Sequence, residues 1–204
     1  MSAEPWKHLR AADPVLARLL DAIGEPDGNR RPPVDHYSAL VRAIVGQQLS
    51  VRAARAIHGR LLEQFGGAPP APEQVLARDP DELRAAVGLS RAKVAFLRSL
   101  AEHVVSGELE LDRLDAMPDE EVVRELVAVK GIGEWSAHMF LMFQLRRPDV
   151  LAVGDLGIRR AVERAYGLPD LPSAAELTAL AEPWRPFRTS ACLLLWHSLD
   201  NAPA

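Results

Sequence analysis

The residue of this sequence best suited to catalysis is an aspartate at the start of a predicted helix. Asp155 follows Gly154 after a short apolar stretch, and a helical pattern begins directly behind it. One interpretation is that its carboxylate only caps that helix by accepting backbone N–H groups. The other is that the helix holds the carboxylate rigidly in a cleft, where a fixed negative charge stabilises a cationic transition state or orients water. The local pattern by itself favours the simple cap.

A second feature, built from backbone rather than from side chains, is suited to binding an anion. Gly131 and Gly133 flank Ile132 at a sharp junction between two predicted helices. Glycines permit a tight turn, and the second helix then directs its unpaired N–H groups at an approaching ligand. Ile132 is expected to pack between the two helices and fix their angle. The segment therefore predicts either a phosphate site or a plain turn. A dinucleotide site is excluded, because no strand precedes the glycines and the third glycine is missing.

The secondary structure predicted around these residues is almost entirely helical. Apolar residues recur at helical spacing along the chain, and no segment alternates convincingly with a period of two. Ser50 and Ser90 are predicted N-caps, and Pro118 before three acidic residues is typical of a helix start. We predict an all-α fold of two helical lobes with an active-site cleft between them.

The predicted lobes are discontinuous along the chain. One combines residues 1–34 with residues 113–204 and carries both the glycine hairpin and Asp155. The other comprises residues 35–112. A loop rich in glycine, proline and charge, from Gly24 to Pro33, separates the first helical segment from the middle of the chain.

The composition excludes several classes of protein. Of the 204 residues, 48% are hydrophobic and 25% are charged, which is ordinary for a globular protein. No apolar run reaches membrane-spanning length and no secretory signal is visible, so we expect a cytoplasmic protein that does not bind membranes. The single cysteine, Cys192, is predicted to be a core residue and excludes a disulfide or an iron–sulfur cluster. Five of the six histidines, His36, His58, His103, His138 and His197, show no metal-ligand spacing.

The net charge of −4 is a weak argument against nucleic-acid binding, because phosphate contacts usually come with an excess of basic residues. An acidic protein can nevertheless carry one positive face, and backbone amides can hold a phosphate without any charged side chain. Charge alone therefore leaves nucleic-acid binding open.

Considered together, the glycine hairpin, the Gly154-Asp155 turn and their spacing resemble the helix-hairpin-helix (HhH-GPD) DNA glycosylase superfamily. In that family the hairpin grips DNA and a following loop ends in an essential aspartate, so the resemblance implies that Asp155 is catalytic. Members with lyase activity carry a lysine two residues after the second hairpin glycine. Trp135 occupies that position here, which implies a monofunctional enzyme. Three segments resemble the bacterial 3-methyladenine DNA glycosylase II group: 44–50, 131–137 and 184–196.

The resemblance also implies a set of ligand-binding residues. Gln48 or Leu49 is the candidate wedge that enters the DNA stack, and Ser50 follows them in the same DNA-binding turn. The DNA-binding hairpin comprises Val129, Lys130, Gly131, Ile132, Gly133 and Ser136. The base pocket comprises Trp135, Trp196, Met139 and Leu156. Met139 and Leu156 stand where relatives have aromatic residues, which implies a less aromatic pocket. No cofactor and no catalytic metal are expected, but the carbonyls of Val129 and Ile132 are a candidate site for a monovalent cation.

The predicted function is monofunctional excision of alkylated purines, such as 3-methyladenine, from double-stranded DNA by a monomer in base excision repair. A purine methylated at N3 or N7 is cationic and leaves readily, and an indole face attracts such a cation. Three alternatives stay open: a non-catalytic hairpin DNA-binding protein, a glycosylase for oxidised, deaminated or mismatched bases, and a helical adaptor protein. A glycosylase would have to flip its target base out of the duplex before cleavage.

Overall fold

A computed structural model describes residues 3–26 and 34–200 of the chain, and all regular structure in this part is helical. It contains 3-10 turns at Leu111–Arg113 and Glu182–Trp184. The α-helices are α1 (Glu4–Ala12), α2 (Pro14–Ile23), α3 (His36–Gly46), α4 (Val51–Gln64), α5 (Pro72–Ala77), α6 (Pro80–Val87), α7 (Arg91–Ser106), α8 (Asp119–Ala128), α9 (Glu134–Phe143), α10 (Leu156–Tyr166), α11 (Ala174–Leu180) and α12 (Arg188–Asp200). The predicted all-α fold is confirmed. No helix in the described ranges is both long and apolar enough to cross a membrane.

The helices divide into two compact units, which we call the terminal unit and the middle unit. The terminal unit joins Met1–Pro32 to Leu141–Ala204, and the middle unit is Pro33–Phe140. This division differs from the predicted boundary after residue 112, because it assigns α8, the glycine hairpin and most of α9 to the middle unit. The hairpin belongs there because it is hydrogen-bonded to the middle unit's own helices, as described below. Residues 27–33 of the predicted loop lie outside the described residues.

Local capping explains where several helices begin and end. Ser50 caps α4 by accepting a hydrogen bond from the Ala53 amide at 3.3 Å, and Ser90 caps α7 by accepting one from Lys93 at 3.2 Å. Helix α7 ends at Gly107, whose φ of 79° lies in the left-handed region. Both serine caps are confirmed. Because a cap depends on residues only three positions apart, these boundaries were predictable from sequence.

In the core of the terminal unit, a buried carboxylate from the first part of the chain bonds two side chains from the last part. Asp13 caps α2 by accepting hydrogen bonds from the amides of Val15 and Leu16 at its Oδ1. Its Oδ2 accepts from the Tyr166 hydroxyl and, at 2.8 Å, from Trp184 Nε1. Burial by itself would raise the pKa of Asp13, but the bonds from the phenol, the indole and the two amides outweigh it and lower the pKa. These donors therefore stabilise the ionised carboxylate.

Replacing Asp13 with asparagine is expected to cost about 2 kcal/mol of unfolding free energy at pH 7. Asparagine keeps the cap at Oδ1 but turns an amide donor toward the buried Trp184 N–H. Because the folded-state pKa of Asp13 is lowered, its stabilisation is present above the ordinary value of 3.8 and is lost as the pH falls through the folded value. Denaturant unfolding from pH 7 to pH 3 should show the difference shrinking below about pH 4. A difference that does not change with pH, or an equal loss in the exposed control Asp170→Asn, would contradict this assignment.

Candidate active site and DNA interface

Asp155, the predicted catalytic residue, is both the cap of α10 and the acceptor of a tertiary hydrogen bond. Its Oδ1 accepts from the Ile158 amide at 2.8 Å and from Trp196 Nε1 at 2.9 Å. The side chain is half-buried. The two sequence interpretations are therefore compatible, because the residue that caps the helix is also held by a side chain from α12. A carboxylate oriented in this way needs little reorganisation before it meets a developing positive charge.

The loop that leads to Asp155 is fastened to the first turn of α12. The Arg188 guanidinium forms a two-pronged ion pair with Asp149, with Nε–Oδ1 and Nη2–Oδ2 distances of 2.7 and 3.0 Å. Thr189 Oγ1 accepts from the Val150 amide at 3.0 Å and donates to the Arg147 carbonyl at 2.7 Å. A planar guanidinium that meets both carboxylate oxygens fixes direction as well as distance. These bonds therefore fix the path of the loop that leads to Asp155.

Helix α12 contacts this loop from several turns on one side of its surface. Arg188, Cys192 and Trp196 are spaced four residues apart, so they share one helical face. Trp196 completes the series by bonding Asp155, and its ring stacks on Phe143 with centroids 6.0 Å apart and an interplanar angle of 22°. The Cys192 side chain is buried as predicted, and burial raises the pKa of its thiol to about 12. Cys192 is therefore a core residue with an unreactive, protonated thiol at neutral pH.

Burial separates the four tryptophans into two groups. Trp6 and Trp184 are core residues of the terminal unit. Trp196 is half-buried in the same unit, whereas Trp135 lies on the first turn of α9 in the middle unit with 48% of its surface exposed. Tryptophan side chains are usually well buried. An indole with this much exposed surface suits a platform on which a base could stack. The two accessible tryptophans are the ones that the sequence analysis assigns to the base pocket.

The remaining predicted pocket residues are also accessible. Met139 lies one turn beyond Trp135 on α9 and is half-buried. Leu156 directly follows Asp155 and is 47% exposed. Residues four apart on a helix share a face, so Trp135 and Met139 lie side by side on α9. Asp155, Leu156 and Trp196 belong to the terminal unit, while Trp135 and Met139 belong to the middle unit.

The glycine hairpin has the tight geometry that its sequence predicts. Gly131 has a φ of 92°, and a Cβ built on it would lie 2.1 Å from Cγ of Phe96, so only glycine fits against that ring. Ile132 is buried, as expected for the residue between the glycines, and its amide donates to the Val129 carbonyl at 3.1 Å. Gly133 differs, because a Cβ there would meet no atom within 4 Å. The space beside Gly133 is therefore open to a ligand.

The turn between α3 and α4 carries the candidate wedge. Gln48 is exposed and has a φ of 57°, an uncommon conformation for a residue with a side chain. Leu49 is 37% exposed, and Val51, which the sequence analysis did not single out, is 77% exposed. Apolar side chains at the tip of an exposed turn indicate a contact surface. Leu49, with Gln48, thus has the exposure that an inserted residue needs.

Hydrogen bonds unite the wedge turn, the hairpin and α7. Gln47 Nε2 donates to the Gly131 carbonyl at 2.9 Å, which ties the wedge turn to the hairpin. The Lys130 amide donates to Ser99 Oγ at 3.2 Å, and Lys93 Nζ donates to the Val45 carbonyl at 2.7 Å. Burial lowers the pKa of Lys93. The three segments therefore form one connected surface, which we call the hairpin face.

Sequence reasoning missed the residues that support this site rather than the site itself. Asp149, Gln47 and Phe96 carry no local signature, because each acts on a partner distant in sequence. The available signals were the resemblances of the segments 44–50 and 184–196 to a known group, which include Gln47 and Arg188 but not their roles. Among the described residues, no group of three histidine, cysteine, aspartate or glutamate side chains could hold a metal ion.

Comparison with known proteins agrees with this geometry. Residues 41–186 match the family model described as HhH-GPD superfamily base excision DNA repair protein. The chain is 35% identical over 195 residues to DNA-3-methyladenine glycosylase 1 of Schizosaccharomyces pombe, covering 94% of this chain and 85% of that protein.

Solved structures agree as well. The S. pombe 3-methyladenine DNA glycosylase in complex with abasic DNA superposes with a TM-score of 0.87 at 33% identity, covering 98% of both chains. A DNA-3-methyladenine glycosidase from Bacillus halodurans also superposes with a TM-score of 0.87, at 37% identity, covering 98% of this chain and 92% of that one. The hairpin, the capped aspartate and these matches lead to one conclusion. The chain belongs to the HhH-GPD superfamily of base excision DNA repair proteins.

Proposed function

We propose that this protein is a monofunctional DNA glycosylase that hydrolyses the bond between deoxyribose and alkylated purines, such as 3-methyladenine, in duplex DNA. The observation that carries the proposal is the Asp155 carboxylate at the N-terminus of α10, which accepts hydrogen bonds from the amide of Ile158 and the indole of Trp196. The similarity to named DNA-3-methyladenine glycosylases over nearly the whole chain supports the same substrate class.

The chemistry requires a fixed negative charge rather than a strong acid. A purine methylated at N3 or N7 already carries positive charge, so its departure needs no prior protonation. As the C1′–N bond breaks, its electron pair leaves with the base and neutralises it, while positive charge develops on the sugar. The Asp155 carboxylate stabilises that charge, water adds its oxygen to C1′, and the carboxylate can accept the proton that water loses.

Two accessible indoles account for recognition of a cationic base. An indole face attracts a cation by about 0.5–2 kcal/mol, and the attraction grows as water is excluded. Trp135 and Trp196 are proposed to contact the flipped base, with Met139 and Leu156 completing the contacts. Trp135 also occupies the position at which lyase members of the family carry a lysine, so no amine is present there to form a Schiff base.

The hairpin face is proposed to grip the DNA backbone through Val129, Lys130, Gly131, Ile132, Gly133 and Ser136. The wedge turn is proposed to contact the duplex through Gln48, Leu49 and Ser50. The charge of the hairpin face supports this role despite the acidic chain, because residues 36–62 and 83–101 contain no aspartate or glutamate. The exposed cations on these segments and the hairpin are Arg52, Arg55, Arg60, Arg91 and Lys130. Positive charge on segments that carry no acidic residue attracts phosphates locally.

The same proposal includes the setting in which the protein acts. It acts as a monomer, in the cytoplasm, and on double-stranded DNA that contains alkylated bases. It needs no organic cofactor and no catalytic metal. The Val129 and Ile132 carbonyls are oxygen ligands of the kind that a monovalent cation accepts, so a cation there would join the hairpin to a phosphate.

A panel of damaged duplexes tests the proposed function. Purified protein should release free 3-methyladenine from methylated DNA, and the strand should break only after alkali treatment because no lyase step occurs. Duplexes that carry 8-oxoguanine, uracil or a mismatch serve as matched substrates and should release little base. Release from those duplexes in preference to methylated DNA would identify a different glycosylase. Tight duplex binding without release of any base would identify a non-catalytic DNA-binding protein, and no duplex affinity at low salt would favour the adaptor.

A further inference from the structure

Gly157, in the first turn of α10, lies against the hydrogen bond that orients Asp155. A Cβ built on Gly157 would come within 3.0 Å of Asp155 Oδ1 and within 3.2 Å of both Cδ1 and Nε1 of Trp196. These atoms include both ends of the Asp155–Trp196 hydrogen bond, which measures 2.9 Å. The glycine therefore leaves room for a carboxylate and an indole to meet beside the helix.

Backbone conformation does not explain a glycine at this position. Gly157 is absent from the glycines with positive φ in the described chain, so the backbone there accepts an ordinary side chain. Alanine is also the better helix former, and in this respect it should favour α10. The close neighbours, rather than the helix, are what exclude a side chain.

Neither neighbour is free to withdraw without loss of an interaction. The Trp196 ring is stacked on Phe143 in the same unit. Asp155 Oδ1 is also the atom that accepts the Ile158 amide and caps the helix. A methyl group at position 157 must therefore displace the indole, the carboxylate or both by a few tenths of an ångström, since contacts this short are rare for a real Cβ.

We propose that Gly157 is a positioning residue, whose missing side chain allows the Trp196 indole to fix the direction of the Asp155 carboxylate. The inference rests on the proposed role of Asp155 in base excision and adds a structural requirement to it. Misplacement of a catalytic group by a fraction of an ångström to 1 Å can lower a rate by up to about 100-fold. The effect should appear in the chemical step and not in DNA affinity.

The central test is Gly157→Ala, with Gly59→Ala in α4 as a matched control, because a Cβ at Gly59 would meet no atom within 4 Å. Single-turnover release of 3-methyladenine should fall about 10-fold to 100-fold in Gly157→Ala. Duplex affinity should stay near the wild-type value, and the melting temperature should fall by no more than about 4 °C, because the helix propensity of alanine partly offsets the close contacts. Gly59→Ala should keep its release rate and its duplex affinity within about twofold of wild type. Release at the wild-type rate by Gly157→Ala would overturn the proposal, as would loss of activity that merely follows loss of folding.

A double-mutant cycle shows whether Gly157 acts through the indole. In a Trp196→Phe background the hydrogen bond to Asp155 is gone, so adding Gly157→Ala should lower the rate much less than it does in wild type. Equal losses in both backgrounds would contradict a role through Trp196.

A spectroscopic measurement separates this inference from the proposed function. The indole N–H signal of Trp196, identified by its absence in Trp196→Phe, should shift in Gly157→Ala and stay unchanged in Gly59→Ala. This measurement needs no substrate, so it holds even if wild-type protein releases no alkylated base. An unchanged signal in Gly157→Ala would refute the positioning role independently of activity.

Discussion

Asp155→Asn is expected to lower the release of 3-methyladenine at least about 100-fold while duplex binding persists. Asparagine has nearly the same shape and is an equally good helix cap, so its Oδ1 can still accept from the Ile158 amide and from Trp196 Nε1. What it lacks is the negative charge that stabilises the sugar cation. The change therefore removes the proposed chemistry and leaves the local structure in place.

The measurement is single-turnover release of free base from methylated duplex, accompanied by fluorescence anisotropy of binding to an undamaged and an abasic duplex. Asp170→Asn is a matched control, since it makes the same chemical change at an exposed position of the terminal unit. Asp170→Asn should behave as wild type. Turnover retained by Asp155→Asn would show that another group performs the chemistry, and a parallel loss of duplex binding would show a mainly structural role.

The two hairpin glycines should respond to alanine in opposite ways. Gly131→Ala combines a left-handed φ of 92° with a Cβ that would lie 2.1 Å from the Phe96 ring, and we expect it to cost about 3 kcal/mol of unfolding free energy. Gly133→Ala places its methyl group in open space within the protein, so its folding should change by less than about 0.5 kcal/mol. If a DNA phosphate approaches the hairpin there, Gly133→Ala should instead weaken duplex binding about 10-fold.

Denaturant unfolding and duplex affinity at low salt, measured on both variants, distinguish these effects. Gly59→Ala again serves as the control and should leave both quantities near wild type. Normal folding of Gly131→Ala would contradict the close packing against Phe96. Full duplex affinity in Gly133→Ala would indicate that the DNA backbone does not approach that glycine.

Most of the helical architecture could be predicted because it depends on near neighbours. The caps at Ser50, Ser90 and Asp155 join groups three residues apart, and the burial of Ile132 follows from its place between two helices. Such contacts are present in any conformation that forms the helix, so the sequence pattern is sufficient to identify them. The unit to which the hairpin is assigned depends on which helices it packs against, and no local pattern encodes that choice.

The residue pattern was sufficient to predict a helical protein in which a glycine hairpin precedes a capped aspartate, and the family resemblance was sufficient to make Asp155 the candidate catalytic group. The groups that hold that aspartate, and the exposure of each tryptophan, depend on how the helices pack. Trp196 reaches Asp155 across 41 residues, Gln47 reaches Gly131 across 84, and Trp184 reaches Asp13 across 171. Capping energies fall off within one helical turn, whereas these bonds form only after distant segments have packed together, which is why the pattern of residues could not disclose them.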